Sequence, residues 1–433
     1  MKNCISVLFV LSVIFSIAGC GDKEPDKISG EKTEVYITAG LKVRPLTDVK
    51  FESTPQRIAR GKYLAEGASH CFLCHSPRDW SKPGAPPIET KKGSGAILLN
   101  EKDFMMVAPN ITPDEETGAG SWTDDMLSRA IREGVGHDGR ALYPLMLYWE
   151  FKYFSDEDLA SIVVYLRTLP PVKSKLPKRN ISENVQKAIV NFPRPIYKPV
   201  LEPNFSNVME RGKYLTEISG CVGCHTAWEN PLNPGAFAGG LLLDRAKDSA
   251  YTANITPDQS GLFYDEDTFI NVIRTGKGGT LHSLMPWIVI KNYTDEDLRA
   301  IYRYLKTVPP VRHYVNNIGK SMYCKLCGGS HGAGEMNTAK NIKIVKVKPS
   351  VYSEYAGTYT SDEGDSLTVF RSGDSLMVKN EVEGVTAKLL PVSSTEFASY
   401  TLPFNFKFAR NIENKVTVLS YHLFDDVECK KVK

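Results

Sequence analysis

The chain is predicted to be mainly α, with two tandem helical domains followed by a small antiparallel β domain, and three observations predict this. The first is an internal duplication. Arg60-Gly61-Lys62-Tyr63-Leu64 returns as Arg211-Gly212-Lys213-Tyr214-Leu215, Asn110-Ile-Thr-Pro-Asp114 as Asn254-Ile-Thr-Pro-Asp258, and Asp156-Glu-Asp-Leu159 as Asp295-Glu-Asp-Leu298. A double proline closes each copy, at Pro170-Pro171 and Pro309-Pro310. A repeat unit of roughly a hundred residues is a domain rather than one turn of a solenoid. The second observation is apolar residues at helical spacing within each copy, and the third is a change to strand-like alternation after Pro349.

Taken in order, Arg57 to Ala65 and Met209 to Thr216 read as short helices opening the two copies, and Asp124 to Glu133 and Glu266 to Thr275 as central ones. Ser155 and Thr294 are N-caps followed by acidic first turns, and the helices they start carry Leu159 to Leu166 and Leu298 to Leu305 up to the double prolines. Val172 to Pro203 is rich in proline and lysine and reads as a linker. Beyond Pro349, Leu367 to Phe370 and Leu376 to Val378 flank a turn signal at Arg371-Ser-Gly-Asp374, and further strands are expected at Ala387 to Val392, Phe404 to Phe408 and Val416 to Tyr421. This segment is expected to form a small antiparallel meander or partial barrel of about eighty residues with a packing or docking role. The resulting division is 1–19, 20–54 as an N-terminal tether, 55–171 and 208–311 as the two helical domains, 172–207 and 312–350 as linkers, and 351–433 as the β domain.

Each helical domain carries the pentapeptide Cys-x-x-Cys-His, as Cys71-Phe-Leu-Cys74-His75 and Cys221-Val-Gly-Cys224-His225. Two thiols at this spacing can each form a thioether with one of the two vinyl groups of a haem, and the imidazole that follows is carried beneath the ring as the proximal iron ligand. Two covalently bound haem c groups are therefore expected, with His75 and His225 as ligands. A first helix bearing the motif and a last helix packed across it resemble a class I cytochrome c domain, and that resemblance implies a methionine as sixth ligand on the loop before each last helix. There Leu142-Tyr-Pro-Leu-Met146 and Leu281-His-Ser-Leu-Met285-Pro286 put Met146 and Met285 in equivalent places, with His282 a rival to Met285. His70, His137, His313, His331 and His422 lack comparable context and read as surface or structural.

The N-terminus points to export. Lys2 precedes an apolar run from Ile5 to Ala18, too short to span a bilayer, which ends in Ile17-Ala18-Gly19-Cys20. This resembles a bacterial lipobox, so residues 1–19 are read as a lipoprotein signal peptide and Cys20 as the lipidated residue. A lipid on Cys20 would hold an otherwise soluble body on a membrane, on the periplasmic or cell-surface side. A net charge of +3 over 433 residues argues against a nucleic-acid surface. Of nine cysteines, six are absorbed by the signal peptide, lipid and haem readings, leaving Cys324, Cys327 and Cys429. Cys324-Lys-Leu-Cys327-Gly328 lacks the histidine of a third haem motif. A local disulfide or inert pair, a metal site joined by His331 with no evident fourth ligand, and a redox-active dithiol all remain open.

The haem motifs, the helices before and after them and the methionine loops resemble class I cytochrome c domains. Asn110-Ile-Thr-Pro-Asp-Glu-Glu-Thr-Gly118, Trp122-Thr-Asp-Asp, Ala130-Ile-Arg-Glu-Gly134, Asp138 to Met146 and Tyr165-Leu-Arg-Thr-Leu-Pro-Pro-Val172 further resemble the cytochrome c subunit of membrane-bound alcohol, gluconate and aldehyde dehydrogenases, over about residues 55 to 311. The resemblance implies two cytochrome c-like domains that accept electrons from a separate dehydrogenase subunit or other donor and pass them to a respiratory acceptor. The chain departs from that family in having two haem motifs where three are common, and Leu147 where a proline usually follows the first methionine. A dihaem peroxidase-type enzyme and a haem-based sensor or binding module are the alternatives; each requires an iron whose sixth position opens.

Overall fold

The computed structural model describes residues 38–432 except 103, 229–233, 246–247, 279–280, 283, 339–341, 363, 382–385, 400–401, 403–404 and 423–425. Residues 1–19, expected to be a signal peptide, and Cys20, expected to carry lipid, lie outside the described residues. The first unit contains α1 (Pro55–Tyr63), α2 (Cys71–Cys74), a ribbon of β1 (Ala96–Glu101) and β2 (Phe104–Ala108), α3 (Asp124–Glu133), α4 (Tyr148–Phe151) and α5 (Asp156–Arg167). A short helix, α6 (Glu183–Ile189), lies in the connection. The second unit repeats the order with α7 (Val208–Ile218), α8 (Cys221–Cys224), β3 (Leu242–Arg245), β4 (Asp248–Tyr251), α9 (Glu266–Thr275), α10 (Trp287–Ile290) and α11 (Asp295–Leu305).

The chain then forms a ribbon of β5 (Asn316–Tyr323) and β6 (Ser330–Gly332), a helical turn α12 (Tyr352–Tyr355), and eight strands. These are β7 (Gly357–Ser361), β8 (Ser366–Ser372), β9 (Ser375–Asn380), β10 (Thr386–Pro391), β11 (Glu396–Ala398), β12 (Phe406–Arg410), β13 (Val416–His422) and β14 (Asp426–Lys431).

The expectation of a mainly α chain is corrected here. Only 29% of the structure is helical, and β7 to β14 close into an antiparallel barrel. Closure follows because β14 pairs back onto β7, with Cys429 opposite Ser361 and Lys431 opposite Tyr359, so neither terminal strand is left as a free edge. Tyr355, Tyr359, Phe397, Phe406 and Phe408 fill the interior, with the Tyr355 and Phe408 ring centroids 4.8 Å apart. The ribbons within and after the helical units add further strand where only loops were expected.

The first and last helices of each unit cross at a glycine. A Cβ on Gly61 would stand 1.9 Å from the carbonyl oxygen of Ser161 in α5, and one on Gly212 would stand 2.0 Å from that of Ala300 in α11. The backbones touch, and any side chain would force them apart. Ser155 and Thr294 cap α5 and α11 by accepting from the amides of Asp158 and Asp297, at 3.0 and 3.1 Å.

The other residues of the repeated motifs join the two units reciprocally. Arg60 binds Asp158 of its own unit with both contacts at 2.7 Å, and Arg211 binds Asp297 at 2.5 Å. The tyrosines reach across: Tyr214 donates to Asp158 at 2.6 Å, and Tyr63 donates to Asp297. Each phenol oxygen also accepts a backbone amide beside the helix cap, Ser155 for Tyr214 and Thr294 for Tyr63, at 3.1 Å in both cases. Arg-Gly-Lys-Tyr-Leu thus holds its own last helix with arginine and glycine and the neighbouring unit with tyrosine, while Leu64 and Leu215 enter the shared core.

Gly61→Ala is expected to lower folding stability by at least the roughly 1–3 kcal/mol typical of overpacking, read as a fall in the urea midpoint. An unchanged midpoint would contradict the close helix crossing.

Candidate functional site

Both Cys-x-x-Cys-His motifs form a single helical turn entered through a left-handed residue. That residue is His70 (φ +47°) in the first unit and Gly220 (φ +65°) in the second. The turn presents its thiols and imidazole on one side, and both sets open onto one continuous cavity of about 1310 Å³. This exceeds the roughly 300–1,000 Å³ of ordinary single-ligand pockets.

The two histidines are held in the same way. His75 Nδ1 lies 2.8 Å from the carbonyl oxygen of Pro109, and His225 Nδ1 lies 2.7 Å from that of Ala253. A carbonyl can only accept, so Nδ1 carries the proton and Nε2 keeps its lone pair for a metal. Burial pushes both imidazoles below their usual pKa, favouring the neutral form a ligand needs. Burial likewise pushes the Cys71 and Cys221 thiols up to about 12.

The repeated Asn-Ile-Thr-Pro-Asp sequence fixes those carbonyls, because it begins one residue after each of them. Asn110 Oδ1 accepts from the amide of Thr112 at 3.0 Å, while Asn110 Nδ2 donates to the carbonyl of Val172 at 2.8 Å. Asn254 does the same with Thr256 at 2.9 Å and Val311 at 2.7 Å. The chain leaving each double proline is thereby tied to the loop that orients each histidine.

Met146 and Met285 line the same cavity from the opposite loops, half-buried in both cases. Two residues after each methionine a ring donates back to its loop: Tyr148 Oη to the Leu142 carbonyl at 3.2 Å, and Trp287 Nε1 to the His282 carbonyl at 3.1 Å. These supporting rings have no signature of their own in the sequence. Leu147 is left-handed (φ +56°), a conformation closed to proline, whereas Pro286 has φ −75°. The first loop therefore turns differently, which accounts for the missing proline. His282 also borders the cavity, and its Nδ1 accepts from the Leu284 amide at 3.4 Å.

These residues suit haem c. Each half of the cavity offers two thiols for the macrocycle edge, an imidazole with a free Nε2, and a thioether on the facing loop.

One feature of the cavity was not visible in the sequence. Glu150 extends from α4 of the first unit over the second motif, so close that a Cβ on Gly220 or Gly223 would stand about 2 Å from its carboxylate. The Val222-Gly223 pair makes room that Phe72-Leu73 in the first motif does not. Burial pushes the Glu150 carboxyl up to about 8.

No family model matches the chain. It is 30% identical over 298 residues to the fructose dehydrogenase cytochrome subunit of Gluconobacter japonicus, covering 64% of this chain and 58% of that protein. It is 28% identical over 325 residues to the cytochrome c subunit of alcohol dehydrogenase (quinone) from Gluconobacter oxydans, covering 64% of each. It is 27% identical over 263 residues to a diheme cytochrome c-type protein of Cereibacter sphaeroides, covering 56% of this chain and 83% of that one. The chain spans about three-fifths of the length of the two dehydrogenase subunits. The chain is thus similar, over about three-fifths of its length, to the cytochrome c subunits of membrane-bound dehydrogenases and to a diheme cytochrome c.

The Glu150 carboxyl yields a pH dependence. Its pKa is raised from 4.5 to about 8 in the fold, so the folded chain binds the proton more tightly than the unfolded one. Its stabilising contribution is complete below pH 4.5 and is lost as pH rises through about 8. Urea midpoints of haem-loaded wild type are expected to fall over this window, and those of Glu150→Gln to fall less. Parallel pH profiles would refute the assignment.

Proposed function

We propose that the chain is a dihaem electron carrier, each haem held by one Cys-x-x-Cys-His motif and closed by a methionine. Cys71, Cys74, His75 Nε2 and Met146 Sδ would hold the first haem, and Cys221, Cys224, His225 Nε2 and Met285 Sδ would hold the second. The bound haem supplies a one-electron iron couple, and paired imidazole and thioether ligands favour the reduced state. The observation that carries this reading is the duplication of the whole arrangement: both histidines carry the same Nδ1 to carbonyl bond and both methionine loops border one cavity.

The chain's own residues then act by position. The Asn110 and Asn254 clamps fix imidazole orientation, and Tyr148 and Trp287 steady the methionine loops. The apolar walls, including Ile131, Leu166, Ile273 and Leu305, would keep water from a bound haem. Both helical units join in one core, which favours transfer from one haem to the other within the chain.

The donor would be a dehydrogenase subunit or another redox protein, and the acceptor a respiratory component. The names of the related proteins support the first of these. A lipid on Cys20 would hold the body at the outer face of a bacterial membrane. None of the described helices is long and apolar enough to cross one.

The visible spectrum of the dithionite-reduced protein, before and after carbon monoxide, tests the reading. Two low-spin haems per chain that do not respond to the gas are expected. Met146→Ala and Met285→Ala should each open one haem to it, and Cys71→Ala with Cys74→Ala should leave one haem per chain. A gas-binding haem in the wild type would overturn methionine closure and favour a catalytic or sensing role.

A further inference from the structure

The Cys-x-x-Cys pair that the haem motifs leave over does not stand alone. His313 arrives at it from just beyond the second double proline and His331 from β6, so that the ligand atoms of His313, Cys324, Cys327 and His331 all lie within 4.8 Å of one another. All four residues are buried, His313 and both cysteines with no exposed surface at all. We propose that they form a structural zinc site, independent of the haem assignment, which ties the 313–332 segment to the second unit.

The geometry is that of a closed tetrahedral site. Cys324 Sγ is 3.6 Å from His313 Nε2, and Cys327 Sγ is 3.4 Å from His331 Nε2. Zinc bonded tetrahedrally to sulfur at about 2.3 Å and nitrogen at about 2.0–2.1 Å gives a sulfur to nitrogen edge of about 3.6 Å. Two cysteines and two histidines in a buried, closed set suit zinc over magnesium or calcium, which take oxygen ligands, and no side is left open for a substrate.

Every non-ligating atom of the set is held so that the ligating one faces inward. His313 Nδ1 lies 2.6 Å from the Ala238 carbonyl oxygen and His331 Nδ1 lies 3.0 Å from that of Gly332, which places the proton on Nδ1 and the lone pair on Nε2 in both rings. The sulfurs receive N–H donors. Cys324 Sγ accepts from the Cys327 amide and from Asn337 Nδ2, and Cys327 Sγ accepts from the Gly329 amide, each at 3.4 Å. Such donors favour thiolate over thiol, the form that binds a metal. Gly328, left-handed at φ +73°, turns the chain so that the Gly329 amide reaches back to sulfur. Gly240 leaves the room required on the other side, since a Cβ there would stand 2.7 Å from His313 Cε1 and 3.1 Å from Cys327 Cβ.

A Cys324 to Cys327 disulfide fits this surround poorly. It would consume both sulfurs and leave two buried imidazole nitrogens facing no donor. The metal also has a place in the second haem unit. Ala238, which receives the His313 ring, precedes Gly239, whose amide donates to the His225 carbonyl at 2.8 Å. Tyr251, at the end of β4, packs on the His331 ring at 5.1 Å between centroids and accepts from the Ser330 amide at 3.0 Å. Ala253, two residues on, holds His225 Nδ1. The cluster braces both stretches of chain that position the second haem histidine.

The test is metal analysis of the purified full-length, haem-loaded protein by mass spectrometry, with zinc counted separately from haem iron, together with X-ray absorption at the zinc edge. About one zinc per chain with a shell of two sulfurs and two nitrogens is expected. Zinc content should fall at least tenfold in Cys324→Ser with Cys327→Ser, and in His313→Ala. Because such variants can fold poorly, the wild type is also unfolded in chelator without reductant and alkylated. Release of zinc alongside alkylation of both cysteines supports the site. Absence of zinc with the peptide lighter by the two hydrogens of a disulfide overturns it, as do free thiols that take up no added zinc and zinc that persists in the double cysteine variant.

Discussion

The arrangement depends on a reciprocal exchange between two buried carboxylates. Asp158 and Asp297 each take an arginine from their own unit and a tyrosine hydroxyl from the other. Hydrogen bonds to charged groups contribute about 1.5–3 kcal/mol each, and removal of one partner from a buried charge costs more than the bond itself because the charge is left unpaired. The same phenols accept the Ser155 and Thr294 amides, so the interface is built from the capped starts of α5 and α11. Two units joined in this way set their Cys-x-x-Cys-His faces toward one cavity instead of two separate clefts.

A second chain of constraint runs from the double prolines to the imidazoles. Asn110 and Asn254 each join the loop just after the histidine-bonded carbonyl to the segment just after the last helix. Histidine orientation is therefore coupled to the end of each unit, some sixty residues further on, and in the second unit the following segment also carries His313. The two units differ mainly at the cavity. Glu150 over the second motif and the left-handed Leu147 beside Met146 are asymmetries laid on a duplicated frame, and the Glu150 carboxyl gives the second site an electrostatic surrounding the first lacks.

The parts legible in the sequence are those whose physics is local. Capped helices with acidic first turns and the Asp-Glu-Asp starts all sit within a few residues of their own partners, and the helices expected at Asp124 to Glu133 and Glu266 to Thr275 match α3 and α9. The ribbons were not legible. Ala96 to Leu99 and Phe104 to Ala108 are short apolar runs whose spacing does not distinguish strand from loop or helix. Barrel closure was hidden because β14 reads as Asp426-Val-Glu-Cys-Lys-Lys431, largely charged, and its partner β7 lies some seventy residues earlier. His313 had no local context for the same reason. Its nearest partners are Cys324 and a carbonyl at residue 238, and only the fold brings them together.

On the reading proposed above, one chain holds two closed haems facing a common interior. Pulsed electron paramagnetic resonance of the oxidised, haem-loaded protein tests it most directly. Two low-spin ferric signals with a resolved dipolar coupling between them are expected, as is loss of that coupling when Cys71 and Cys74 are both replaced by alanine. Two magnetically isolated haems, or a high-spin signal in the resting protein, would contradict it.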